Sequence, residues 1–133
     1  MTFDELFNIT VKYENCELVE YEKGRVVVRT VVNESDTNPY GKAHGGFLYT
    51  LCDSLSGLLG YSLGYYIVTL QANINYIKEA ELGDILTVTG VSVHSGKTTD
   101  VADMSIVNQD NKLIAKASFT MFNIKEVEEE NKL

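Results

Sequence analysis

The chain is predicted to be an α+β domain in which a curled antiparallel sheet wraps one long central helix. Three observations lead there. One stretch, Lys42 to about Leu59, is apolar on more than one face at helical spacing, through Phe47, Leu48, Leu51, Cys52, Leu55, Leu58 and Leu59. Most of the remainder falls into six β-rich runs separated by Gly, Asn and Asp turn residues. An antiparallel sheet has to cover its apolar face, and that helix is the one long cover available.

The elements follow in order. Phe3, Leu6, Phe7 and Val11 recur at helical spacing, and Thr2 with Glu5 fits a capping box, so a short helix is expected within Thr2 to Tyr13. Cys16 to Tyr21 and Arg25 to Val32 read as strands joined at Lys23-Gly24. In the second, Val26, Val28, Thr30 and Val32 share a face. The long helix comes next, with Gly60 and Gly64 marking its end region. Ile67 to Lys78 is a long strand. Ile85 to His94 alternates, with Leu86, Val88 and Gly90 on one side. The Ser95-Gly96 turn leads to a strand from Thr98 to Val107, and the Asn108–Asn111 turn to one from Leu113 to Ile124. The 133 residues are read as one domain, 1–133, in which 125–133, rich in glutamate, is expected to fray. Strands left at the sheet edges favour dimerisation.

A formal charge of −8 argues against a nucleic-acid partner and against adhesion to anionic lipid. The N-terminus lacks a basic region followed by an apolar core, and no apolar run approaches ~20 residues, so a cytoplasmic chain with no membrane partner is expected. Cys16 and Cys52 show no metal-ligand spacing. No metal is expected, and Cys52 reads as a small buried hydrophobe.

Chemistry concentrates between Asn38 and Asp53 (NPYGKAHGGFLYTLCD). A turn runs into His44-Gly45-Gly46 at a helix start, where exposed backbone N–H groups attract developing negative charge. Inside the apolar helix sits one carboxylate, Asp53, costly to bury unless something needs it. Together they read as an oxyanion site plus an acid/base or nucleophile.

Asn38, His44-Gly45-Gly46 and Asp53 in this spacing, then Val68-Thr69, Asn73-Ile74-Asn75-Tyr76-Ile77, Gly96-Lys97 and the closing Ala115–Thr120 strand, resemble the hotdog-fold acyl-CoA thioesterases, in particular the phenylacetyl-CoA thioesterase-like branch. The likeness covers about Arg25 to Ile124. Lys78-Glu79-Ala80 departs from it, since many relatives carry a basic residue followed by proline. The resemblance implies hydrolysis of an acyl-CoA to a carboxylic acid and CoA, with no cofactor beyond the CoA of the substrate. Gly45 N–H is then the oxyanion donor, Asp53 the nucleophile or the general base, and Asn38 and Thr69 orient substrate or water. His44 is either a general base, which the family does not generally make of it, or a support for the oxyanion loop with its ring bonded to backbone, and with Gly46 it is placed on the substrate-binding side. Lys97 beside Gly96 meets the nucleotide end, with Lys78 and Lys116 as weaker candidates. Tyr61, Tyr65 and Tyr66 line an acyl pocket or simply pack.

In one helix the nine positions from His44 to Asp53 rise about 13 Å, too far for one thioester to touch both ends within hydrogen-bond reach. A site shared across a homodimer is therefore expected, with a homotetramer above it, as the resemblance also implies. Two rivals stand beside this reading. One is a non-catalytic acyl-CoA-binding module, which needs no carboxylate at the carbonyl. The other is a hydratase or dehydratase, which calls for a catalytic histidine paired with an acid.

Overall fold

The computed structural model describes residues 1–11 and 16–133. Helix α1 spans Phe3–Thr10 and carries the expected capping box, Thr2 Oγ1 accepting from Glu5 N–H and Glu5 Oε1 from Thr2 N–H. The part of the expected helix beyond residue 11 lies outside the described residues. Strands β1 (Glu17–Glu22) and β2 (Arg25–Val31) form a hairpin whose turn holds Gly24 at φ 82°, a conformation open to glycine.

Helix α2 runs Gly45–Ser62, three residues later at each end than the sequence suggested. Lys42 and Ala43 are not helical because their backbone is bonded elsewhere: Lys42 bridges to Glu81, and Ala43 N–H donates to Ala80 O at 2.7 Å. At the far end Gly60 stays within the helix. A methyl group there would lie 2.7 Å from Ile67, so the glycine lets helix and strand approach closely. The chain leaves the helix through Gly64, at φ 97°.

Strands β3 (Tyr65–Tyr76), β4 (Ile85–Ser95), β5 (Thr99–Val107) and β6 (Leu113–Glu126) complete a six-stranded antiparallel sheet in the order β1-β2-β4-β5-β6-β3. Alternation decides which face is covered. Val26 and Val28, Leu86 and Val88, Met104 and Ile106, and Phe119 and Met121 are buried beneath α2, whose Leu51, Cys52, Leu55, Leu58 and Leu59 are also buried. This is the hotdog arrangement, one helix wrapped by a sheet. α1 closes one flank, with Phe3, Leu6 and Phe7 packed on the core. Among the described residues no helix is long and apolar enough to cross a membrane.

The C-terminal segment departs from the frayed tail expected for 125–133. β6 continues to Glu126, Val127 is buried, and a 3-10 turn follows over Glu129–Asn131. Glu128 takes the N-terminal ammonium and the Tyr66 hydroxyl, while Lys132 pairs with Glu126 and Glu129. One apolar plug and these ion pairs hold acids that composition alone assigns to solvent.

Strand β3 contains a one-residue register shift. Thr69 pairs with Met121, yet Gln71, not Leu70, pairs with Thr120. Beyond it, Ala72, Ile74 and Tyr76 pair with Phe119, Ala117 and Ala115, all on the covered face. The bulge at Leu70 thus places Thr69 and Tyr76 on one face although they are seven positions apart, an offset that in a regular strand would put them on opposite faces.

Candidate active site

The loop before α2 is built by its own polar groups. Asn38 Oδ1 accepts from Tyr40 N–H at 2.9 Å and from Lys42 N–H at 3.1 Å, while His44 N–H donates to Asp36 O at 2.8 Å. The asparagine oxygen therefore sets the turn that delivers the chain to the helix. His44 is the N-cap residue, its Nδ1 accepting from Gly46 N–H at 2.8 Å. That bond occupies the Gly46 donor, so Gly46 does not offer its N–H to a ligand. No described residue accepts from Gly45 N–H, which belongs to the first helical turn and has no intrahelical partner. His44 thereby leaves one amide available where the helix dipole is positive.

Tyr76 fixes this amide's surroundings, and sequence reasoning did not assign it a role. Its hydroxyl donates to Gly45 O at 2.9 Å, and a methyl group on Gly45 would meet the Tyr76 ring at 3.3 Å. A side chain at this position would push on the end of the Tyr76 side chain, so glycine lets the tyrosine lie close over the helix start. Tyr76 and Gly45 line a cleft of about 370 Å³ together with Asn38, Lys42, Lys78 and Ala80. Lys42 is paired with Glu81 and Glu79, whereas Lys78 has no ion-pair partner among the described residues.

Asp53 lies elsewhere along α2, half-buried, with Leu51, Cys52 and Leu55 buried around it. Thr69 Oγ1 donates to Asp53 Oδ1 at 2.6 Å, a charge-assisted bond that orients the carboxylate and leaves Oδ2 for other work. Both line a second cleft of about 370 Å³ that includes Ser56, Tyr66, Ile67 and Val68, and no residue lines both clefts. Burial, with Asp53 adding, pushes the neighbouring Cys52 thiol up to about 12, and burial first among causes raises Cys16 to about 11. Both cysteines are free.

The predicted residues thus fall into two groups on one chain: Asn38, His44, Gly45, Gly46 and Lys78 at the helix start, and Asp53 with Thr69 eight helical residues on, about 12 Å of rise away. Gly96 and Lys97 stand apart from both clefts, on the exposed β4–β5 turn, and Lys97 has no ion-pair partner among the described residues. The three tyrosines divide. Tyr61 is core, its hydroxyl donating to Met1 O. Tyr66 lines the Asp53 cleft but turns its hydroxyl to Glu128, and Tyr65 lines neither cleft.

Comparison with known proteins adds chemistry to this geometry. Residues 40–115 match the thioesterase superfamily. A hypothetical thioesterase protein from Streptococcus pneumoniae TIGR4, solved with coenzyme A, is 45% identical, covers 96% of this chain and 100% of its own, and superposes with a TM-score of 0.90. Two alanine variants under the same name are also solved, each 49% identical over 86% of this chain. One replaces an aspartate (94% of that chain, TM-score 0.84) and the other a threonine (93%, TM-score 0.83). Acyl-coenzyme A thioesterase PaaI of Escherichia coli K12 is 32% identical over 81% of this chain and 83% of its own. Human acyl-coenzyme A thioesterase 13 is 34% identical over 77% and 76%.

Proposed function

This chain belongs to the thioesterase superfamily, and from that premise we propose that it hydrolyses an acyl-CoA thioester to a carboxylic acid and free CoA, at sites shared between the subunits of a homodimer. The observation that carries the reading is the Asp53–Thr69 hydrogen bond. The aspartate and threonine replaced in the pneumococcal variants stand 16 positions apart, the spacing of Asp53 and Thr69. The non-catalytic binding module offers no reason for a carboxylate to be held this way.

In the proposed reaction the thioester carbonyl oxygen approaches Gly45 N–H, and the negative charge of the tetrahedral centre develops against that donor, worth ~3 kcal/mol for a well-aimed N–H. Asp53, steadied by Thr69, takes a proton from water as the new carbon–oxygen bond forms. The carbon–sulfur bond then breaks, and the proton passes to the CoA sulfur. Alternatively Asp53 Oδ2 attacks directly, and water opens the resulting anhydride. Asn38 acts through the turn it shapes. Lys78 and Lys97, cations in a chain of net charge −8, meet the phosphates of CoA.

The dimer follows from the separation of the two clefts. Strand β3 is an edge strand of 12 residues without proline, with Val68 and Leu70 exposed. Antiparallel pairing with a second copy carries the Thr69 end of one strand toward the Tyr76 end of the other. That sets Asp53 of one subunit near Gly45 of its partner. A homotetramer is proposed above this dimer.

The test is free-thiol release from a panel of acyl-CoAs by the wild type and by Asp53→Asn. Turnover by the wild type and a loss of at least ~100-fold in the variant, with the fold retained, are expected. Equal turnover removes Asp53 from the reaction. Binding of acyl-CoA without turnover by either protein replaces the enzyme with a sensor.

A further inference from the structure

Asn123 is 8% exposed and sits in β6 beside Ile67, a residue lining the Asp53 cleft. One residue grips three successive carbonyls of the β4–β5 turn. Asn123 Nδ2 donates to Gly96 O at 3.0 Å and to Lys97 O at 3.2 Å, and its backbone N–H donates to Thr98 O at 2.8 Å. Gly96 N–H closes the same turn on Thr99 O at 2.9 Å. Because the amide NH₂ has to face those carbonyls, its Oδ1 faces inward, where it has no donor. Beneath it lies Asp100, fully buried and next to Ser95, the Gly96 N–H and the Asn123 amide, although none of these completes a well-aligned hydrogen bond to its carboxyl oxygens, the last two being turned to carbonyls of the turn. A buried amide and a buried carboxyl are expensive under an exposed turn, and packing alone gives no reason for them. The turn they hold carries Lys97.

We propose that Asn123 is a positioning residue for substrate recognition: it fixes the 95–99 turn so that the Lys97 ammonium is presented to the phosphates of CoA. The inference rests on the reading of Lys97 as the contact for the nucleotide end. Free to move, a lysine on an exposed turn loses much of its contribution to conformational entropy. Held at three consecutive carbonyls, its backbone has little freedom left to lose on binding.

The experiment compares Asn123→Ala, Lys97→Ala and the double variant on two substrates with one acyl group, carried on CoA or on N-acetylcysteamine, which has no phosphates. For Asn123→Ala, KM for the CoA ester rises about tenfold with kcat within about twofold, the equivalent of about 1.4 kcal/mol of binding. KM for the N-acetylcysteamine ester does not change, and hydrogen-exchange protection of the Gly96 amide falls. Lys97→Ala shows the same KM pattern, and the double variant is no worse than Lys97→Ala. A rise with Lys97→Ala but none with Asn123→Ala overturns the positioning role and leaves the Lys97 reading intact. No rise with Lys97→Ala overturns that reading, and the proposal with it. If Asn123→Ala does not fold, Asn123→Ser takes its place, and an unchanged KM there has the same meaning.

Discussion

Thr69 Oγ1 and Asp53 Oδ1, 2.6 Å apart, join an edge strand to the one helix it covers. The bond connects the site's carboxylate to the strand that is also proposed to meet a second subunit. Removing it while keeping the shape, as in Thr69→Val, leaves the carboxylate free to rotate. A fall in kcat of about 10–100-fold is expected, the equivalent of losing one hydrogen bond to a charged group, and Thr69→Ser should restore much of it. Equal rates for the valine and serine variants would show that the hydroxyl has no part in the reaction.

Tyr76→Phe keeps the ring against Gly45 and deletes only the hydroxyl that donates to Gly45 O. The proposed oxyanion donor then loses its tether but not its packing. About a tenfold lower kcat is expected with little change in KM, since the donor matters most when charge develops. Steady-state kinetics on one good acyl-CoA decides it, and a pure KM effect points instead to substrate contact by the tyrosine.

The proposed shared site predicts that two defective variants repair each other. Asp53→Asn lacks the proposed acid/base or nucleophilic group, and Gly45→Ala places a methyl 3.3 Å from the Tyr76 ring beside the proposed oxyanion amide. Each alone should be nearly inactive. Mixed and allowed to exchange subunits, they form heterodimers with one intact site in two, recovering up to about a quarter of wild-type activity. No recovery, with heterodimers shown by native mass spectrometry, places both groups in one subunit's site.

Asp100 offers a pH test. Burial pushes its carboxyl above the usual range, opposed in part by Ser95, the Gly96 N–H, the Asn123 amide and His94. A raised value means folding favours the protonated form. The associated stability is complete below the ordinary carboxylate range and is lost as pH rises through the folded value. Asp100→Asn, which cannot ionise, should therefore raise Tm at pH 8 by the equivalent of about 1 kcal/mol or more, with the advantage shrinking toward pH 4. Thermal melts showing the same difference at both pH values refute this account.

Much of the fold was legible because periodicity is local. Val26, Val28, Thr30 and Val32 announce their shared face along one run, and all four are buried, although the strand itself ends at Val31. The capping box of Thr2 and Glu5 is equally local. The residues of the candidate site were legible as chemistry, Asp53 by its apolar neighbours and Gly45 by its place at a helix start, but their surroundings were not. Tyr76 reaches Gly45 from 31 positions away, a contact that no nearby pattern encodes. Asp100 and Asn123 look like surface residues by type. Alternation does hold a clue, since Asp100 falls in step with Ala102, Met104 and Ile106, and Asn123 with Phe119 and Met121. The expected tail over 125–133 differs for another reason: Glu128 is held by distant groups, the chain's own first residue and the Tyr66 hydroxyl, which no local pattern announces.

The extra residue at Leu70 gives the site a form of control that lies outside its chemistry. Thr69 and Tyr76 work on one side of their strand only because the two-residue rhythm slips by a beat between them. Deleting Leu70 would restore the rhythm and swing one of the two to the opposite side, disabling either the carboxylate's tether or the amide's, with every reactive group still present in the sequence. Among descendants of such a chain, a single missing codon in this strand would mark a copy that keeps the architecture and gives up the reaction.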